Sequence, residues 1–246
     1  MQLQFVGCGD AFGSGGRFNT CFHVVGGRSN FLIDCGASSL IALKKLGIER
    51  NAIRAILITH FHADHVGGLP FFILDSQFFS KRVEPLVIAG PPGLREWFVT
   101  ALETAFPGAA KTKQRFDLQL RELEPGAQVE LDEVRVTPYL VRHGKPEGRF
   151  FALRIEVEDR VIAYTGDTEW TETLVTAARN ADLFIAEAYF RDKSVPLHLD
   201  LATLERHLPE IAAQRVILTH MSDDMLAQRG DVGFETAEDG LIVQIR

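Results

Sequence analysis

Cysteine is scarce in this chain. Cys8, Cys21 and Cys35 are the only three, and no two stand at Cys-x-x-Cys spacing. An odd, scattered set argues against a disulfide framework and against a thiolate zinc finger, and leaves small buried thiols as the reading. Basic residues are not in excess either. The 26 Lys and Arg against 33 Asp and Glu give a net charge of −7. That disfavours broad nucleic-acid binding, which depends on neutralising many phosphates. The densest basic stretch, Lys111-Thr112-Lys113-Gln114-Arg115, reads as a solvated loop. Long apolar runs are missing: none approaches the roughly 20 residues of a membrane helix. Residues 1–7 lack the basic start and apolar core of a signal peptide, so a cytoplasmic protein without a membrane role is expected. The glycine-rich stretch at 7–17 has neither dinucleotide-site spacing nor the Gly-Lys-Ser/Thr of a P-loop. No low-complexity segment or linker interrupts the 246 residues. One α/β domain spanning 1–246 is the expectation.

What is present centres on Ile56-Leu57-Ile58-Thr59-His60-Phe61-His62-Ala63-Asp64-His65-Val66-Gly67-Gly68. Three apolar residues predict a short buried strand. Three histidines and an aspartate then fall within six residues, and a glycine pair permits a tight turn. Imidazole and carboxylate are ligands that first-row divalent metals favour. Other strands are predicted at 2–6, 21–25, 31–33, 86–88, 116–120, 134–141, 150–157, 160–164, 183–186, 216–218 and 241–245. Helices are predicted from Ser38 or Ser39 to Leu46, at 69–79, from Pro91-Pro92 to about 106, at 170–178 and after Asp200. Glu158-Asp159 reads as a hairpin turn. Leu57-Ile58-Thr59-His60 echoes Ile217-Leu218-Thr219-His220, and 31–36 weakly echoes 162–167. Two similar halves suggest two packed sheets with helices outside, and ligands beyond the strand ends.

Of the eight histidines, His60, His62, His65, His143 and His220 follow strands or lie in the central loop. His23 and His207 fall inside strand and helix patterns and read as structural. The order His60-x-His62-x-Asp64-His65, His143, Asp167, His220 resembles the two-metal form of the metallo-β-lactamase superfamily over nearly the whole chain. The resemblance implies an αββα sandwich holding two divalent ions, zinc first and manganese or iron as alternatives. It implies that His60, His62 and His143 hold one ion, that Asp64, His65 and His220 hold the other, and that Asp167 bridges them. Asp64 is thereby counted with the catalytic residues as well as the ligands. Asp34 takes the family's early aspartate place, where it would orient a histidine through the other ring N–H; a turn-capping carboxylate is the alternative. Two dications about 3.5–4 Å apart can activate a bridging water as hydroxide for hydrolysis. The same ligand set serves phosphodiesterases, lactonases and thioesterases.

The start Phe5-Val6-Gly7-x-Gly9-x-Ala11 with Arg17 and Thr20, together with His65-Val66-Gly67-Gly68-Leu69-Pro70, resembles ribonuclease Z. That favours phosphodiesters. Three departures follow. His143 and Asp167 are only 24 residues apart, which leaves no room for the family's basic tRNA-gripping arm. Ala186-Glu187-Ala188-Tyr189 stands where the family has His-Glu-Ala-Thr. The chain is acidic. The expected substrate is therefore a small or cyclic phosphodiester, with tRNA 3′-end cleavage disfavoured. A lactone or thioester hydrolase and a non-catalytic metal-binding module are the other readings. A homodimer is an expectation from the resemblance alone. His198, in Pro196-Leu197-His198-Leu199-Asp200, lies near the family's His-Ser-Thr segment. It is a candidate general acid for the leaving oxygen, or else a substrate contact.

Overall fold

A computed structural model describes residues 1–145 and 149–246. The strands are β1 (Gln2–Gly7), β2 (Cys21–Val25), β3 (Asn30–Ile33), β4 (Ala55–Leu57), β5 (Leu86–Gly90), β6 (Leu118–Glu122), β7 (Val129–Leu131), β8 (Val134–Leu140), β9 (Phe151–Val157), β10 (Arg160–Tyr164), β11 (Leu183–Glu187), β12 (Val216–Thr219), β13 (Glu235–Thr236) and β14 (Ile242–Gln244). They form two mixed sheets, in the orders β14-β1-β2-β3-β4-β5-β6 and β13-β12-β11-β10-β9-β8-β7. In the first, β3 to β6 run parallel; in the second, β10 to β13 do. Parallel strands put their C-terminal ends at one edge, and the chain's polar strand-end residues collect there.

Strict alternation explains the layering. Phe31 and Ile33 of β3 and Ala55 and Leu57 of β4 enter the core between the sheets. Leu32 and Ile56 face the other way, under the first helical layer. That layer holds α1 (Ser39–Lys45), α2 (Ala63–Val66), α3 (Leu69–Leu74, continued as a π-helical turn over Asp75–Phe79) and α4 (Leu94–Ala105). On the far side, Ala163, Phe184 and Leu218 pack beneath α5 (Thr173–Ala178), α6 (Leu201–Ile211) and α7 (Asp223–Gln228). Strands buried on both faces read as apolar runs rather than alternating ones, as 31–33 and 183–186 do. The result is the αββα sandwich expected from the sequence. Among the described residues no helix is long and apolar enough to cross a membrane.

Several local expectations need correction. The hydroxyl of Ser38 does not cap α1; it accepts from the Asn19 amide at 2.7 Å. The strand placed at 116–120 begins at Leu118 and joins the first sheet, not the hairpins that follow. β7, β13 and α7 were not anticipated: the two strands are only three and two residues long, and α7 is charged along its first turn. The Glu158-Asp159 turn has both residues at positive φ, 50° and 60°, the twist that suits a two-residue hairpin. The three cysteines are free and buried.

Candidate metal centre

Several of the chemically active side chains sit just beyond a strand end. β3 delivers Asp34, β4 delivers Thr59 and His60, β10 delivers Asp167, and β12 delivers His220. Asp34 and His220 turn sharply out of their strands at φ 56°. After β4 the chain makes one helical turn, α2, whose amides at His65 and Val66 bond to the His62 carbonyl. That turn places His60, His62, Asp64 and His65 around one point. The segment after Asp34 lies directly against it: Cys35 N donates to His65 O at 2.7 Å. A Cβ on Gly36 would stand 2.1 Å from the Asp64 carbonyl oxygen, so glycine is required at this crossing.

His62 Nδ1 and His143 Nε2 approach to 3.0 Å, and His143 Nε2 lies 3.5 Å from Asp167 Oδ2. His65 Nε2 stands 3.1 Å from Asp167 Oδ1 and 3.4 Å from Asp64 Oδ2. His220 Nε2 stands 3.3 Å from both Asp64 Oδ2 and Asp167 Oδ2. His60, His62 and His143 make one convergent group, and Asp64, His65, Asp167 and His220 a second. In a tetrahedron with arms of 2.0–2.1 Å, neighbouring ligand atoms are about 3.3 Å apart; most of the separations here are close to that. His60 Nε2 and Asp167 Oδ1 are buried without a hydrogen-bond partner. Buried polar atoms are seldom left orphaned, and a cation satisfies both. The donor set thus fits two divalent ions.

The electrostatics agree. Burial, with His65 close by, holds His60 well below the ordinary histidine value, and burial also lowers His62. Both therefore keep neutral rings with free lone pairs. Burial opposes charge on His65 too, yet Asp167 and Asp34 lift its pKa well above normal. His220, likewise buried, is raised to about 10 by Asp167, Asp64 and Glu187. Asp64 and Asp167 are held far below the usual carboxylate range: burial works against them, and the neighbouring histidines prevail. The carboxylates thus draw positive charge into the centre.

Supporting contacts fix the rings. Asp34 is fully buried. It accepts from His65 Nδ1 at 2.7 Å, from Thr59 N at 2.8 Å and from the Thr59 hydroxyl at 2.9 Å. The His143 Nδ1–H donates to the Leu197 carbonyl at 2.8 Å. At the rim, the His198 Nδ1–H donates to Glu187 Oε1 at 2.5 Å, and its ring lies 4.8 Å from that of His143 and 4.7 Å from Tyr189. Burial resists charge on His198, but Glu187 prevails and raises its pKa.

A family model described as "Anti-Pycsar protein Apyc1" matches residues 1–240. The chain belongs to that family. Ribonuclease Z of Agathobacter rectalis is 32% identical over 222 aligned residues, covering 72% of this chain and 71% of that one. The crystal structure of human tRNase Z, short form, aligns over 100% of both chains with a TM-score of 0.81 and 24% identity. The metallo-β-lactamase fold protein YhfI of Bacillus subtilis aligns over 99% of each chain at a TM-score of 0.77 and 19% identity. The Apyc1-family chain is thus a hydrolase of the metallo-β-lactamase superfamily, in the ribonuclease Z branch.

All seven residues singled out as metal ligands come together here. Asp34 lies behind His65, and His198 reaches the rim. His23 and His207 stay outside: His23 bonds to Asn30 within the sheet, and His207 stacks on Trp170. Sequence reasoning passed over Glu187, treating its segment only as one that lacks a histidine. Its signal was an acid closing the wholly apolar strand Leu183-Phe184-Ile185-Ala186. Phe150, whose ring lies 5.4–5.8 Å from those of His60, His62 and His143, was missed as well. An aromatic residue before a strand carries no distinguishing signal.

Proposed function

We propose that this chain is a metal-dependent phosphodiesterase acting on small or cyclic phosphodiesters. The observation that carries it is the convergence of seven metal-type ligands beside a His198–Glu187 pair. His60, His62 and His143 would hold one divalent ion, Asp64, His65 and His220 a second, and Asp167 would touch both. Zinc suits imidazole and carboxylate donors best. When bound, such a pair supplies Lewis acidity and lowers the pKa of water. The protein's own residues supply the rest. Asp34 and the Leu197 carbonyl hold the Nδ1–H of His65 and His143, and so keep each Nε2 turned inward with its lone pair. Hydrolysis forms one P–O bond from water and breaks another, and the departing oxygen takes up a proton. Glu187 holds the Nδ1–H of His198, which leaves Nε2 to carry that proton to the leaving oxygen. Ligands from both halves meet in one centre, which supports one domain over 1–246.

Phosphorus chemistry is favoured over carbonyl chemistry by the kinship with ribonuclease Z, by its name a nuclease. A small substrate is favoured because most of the 24-residue span from His143 to Asp167 is the β9–β10 hairpin, and because net charge is −7. The test compares kcat/KM of the zinc-loaded protein on 3′,5′-cyclic nucleotides, aryl phosphodiesters, lactones, thioesters and a precursor tRNA. Phosphodiesters of low mass should lead. Preference for a lactone or thioester would overturn the phosphodiesterase reading; efficient, site-specific cleavage of precursor tRNA would overturn the small-substrate part.

A further inference from the structure

Two clefts open beside the centre, and they belong to different halves of the chain. One, of about 480 Å³, is lined by Ala11, Asn19, Ala37, Phe61 and Ala63, and reaches the centre at His62 and Asp64. The other, of about 520 Å³, is lined by Trp170, Val195, Pro196 and Leu199 among others, and reaches the centre at His198. Both volumes suit small-molecule subsites.

We propose that the first cleft receives a flat aromatic substituent, a nucleobase or an aryl ring, on the ester oxygen that stays bound to phosphorus. This rests on the phosphodiesterase reading. In an acyclic diester whose leaving oxygen is protonated by His198, the leaving group departs on the His198 side, and the retained substituent, equatorial on phosphorus, has the cleft at His62 and Asp64 open to it. The lining there selects for shape. Three of the lining residues are alanines, and apart from the two centre residues no lining side chain is charged. The Phe61 ring is braced by Trp97, with centroids 5.6 Å apart and planes within 8°. A braced ring lining an open cleft offers a stacking partner with little ordering cost. Phe12, next in the chain to the lining residue Ala11, is 81% exposed, the most exposed large apolar side chain among the described residues. Its loop is not slack: the buried Asp10 carboxylate accepts from Phe12 N at 3.1 Å, from Ser14 N at 3.0 Å and from the Ser14 hydroxyl at 2.7 Å. An exposed phenylalanine on an ordered loop next to a lining residue is apolar surface that a bound ring would cover.

The test uses two diesters with the same leaving group: the thymidine 5′-ester and the methyl ester of 4-nitrophenyl phosphate. The readout is the ratio of their kcat/KM values in the zinc-loaded protein. Stacking of a base on an aromatic side chain corresponds to roughly 5- to 150-fold. Phe61→Ala should lower the thymidine-to-methyl ratio by a factor in that range, through KM, with metal content unchanged. Phe61→Leu, a milder change to packing, should lower it less. An unmoved ratio in both variants, or a ratio that falls only with Trp170→Ala, would overturn the assignment. Hydrolysis of neither diester by the unaltered protein would overturn the phosphodiesterase reading, and this subsite with it.

Discussion

Glu187→Gln is the substitution whose consequences the structure defines most fully. Glu187 is completely buried. One carboxylate oxygen accepts from Thr168 N at 2.8 Å and Leu199 N at 3.3 Å; the other faces His198 Nδ1 at 2.5 Å and His220 Nδ1 at 3.4 Å. Three hydrogen-bond donors thus converge on two acceptor atoms, and His220 Nδ1 stands beside them at ion-pair distance. A glutamine is isosteric but keeps only one acceptor, and its NH₂ must face one of the two pairs. The backbone amides cannot change character, so the amide oxygen should take them. The NH₂ then faces two imidazole Nδ1 atoms. Each buried donor left facing a donor costs about 1–3 kcal/mol, and the rings escape that cost by moving their hydrogen to Nε2. That shift has two readable effects. His220 Nε2, which converges with Asp64 and Asp167, loses its lone pair. Disturbing a contact behind a ligand typically costs 10–100-fold in metal affinity, so zinc affinity should fall by about that factor. His198 also loses the carboxylate that raises its pKa, and turnover of alkyl phosphodiesters should fall by about 10²–10⁴. Competition against a chromophoric chelator measures the first, and nitrogen-15 NMR of the histidine rings reports the tautomers directly. Wild-type zinc affinity and turnover in folded Glu187→Gln would refute the reasoning.

Other expectations follow from the same contacts. Protein purified without chelator should contain close to two divalent ions per chain by elemental analysis, and Asp167→Ala should lower metal content and activity together. Full activity in metal-free protein would contradict this. His198→Ala should leave metal content intact and slow alkyl phosphodiesters about 10²–10⁴-fold, but 4-nitrophenyl esters far less; equal losses would assign His198 to binding. Asp75 is buried, and although burial favours its neutral form, Lys44 at 2.7 Å and Arg50 at 3.0 Å hold its pKa below the ordinary 3.8. A depressed carboxylate contributes stability above its unfolded pKa and loses it as pH falls through the folded value. Chemical denaturation should therefore find Asp75→Asn less stable by about 1–3 kcal/mol at pH 7, with the gap closing below pH 3.8. A gap that stayed constant across that window would show that the ion pairs are not its source.

The strands were legible for a physical reason, and the full ligand set through the family resemblance that their polar ends and the central loop carry. Strands buried on both faces must be continuously apolar, so the first polar residue after each one stands out. Asp34 is the first such residue after β3, and His60, Asp167 and His220 each follow a threonine by one or two places. Glu187 stands out in the same way, and it went unassigned because the segment was compared with a motif rather than read for its burial. What could not be read was anything set by contact across the chain. Ser38 carries every mark of a helix cap, yet its hydroxyl serves Asn19 because the loops after β1 and β3 cross there. Phe150 and Tyr189 take their meaning from rings brought to them by the other elements.

The faint echo between the halves explains how one edge gathers so many ligands. In the first half β3 leads to Asp34 and β4 to Thr59-His60; in the second, β10 leads to Asp167 and β12 to Thr219-His220. The repeated elements have different chemical duties. Asp34 is sealed behind His65, whereas Asp167 faces the histidines of both groups. The difference lies in what covers each turn. Asp34 is enclosed by Thr59 and the chain of α2, which consumes its acceptors. Gly166 precedes Asp167 at φ 60°, and a Cβ there would stand 2.5 Å from the Phe151 carbonyl oxygen. Beyond that left-handed turn, Asp167 Oδ1 has no hydrogen-bond partner. That oxygen lies 3.1 Å from His65 Nε2, while His143 and His220 face Oδ2, and a cation held among them would satisfy it. Replacing Gly166 with alanine would force this turn to shift, so the Asp167 position depends on a residue that contributes no ligand atom of its own.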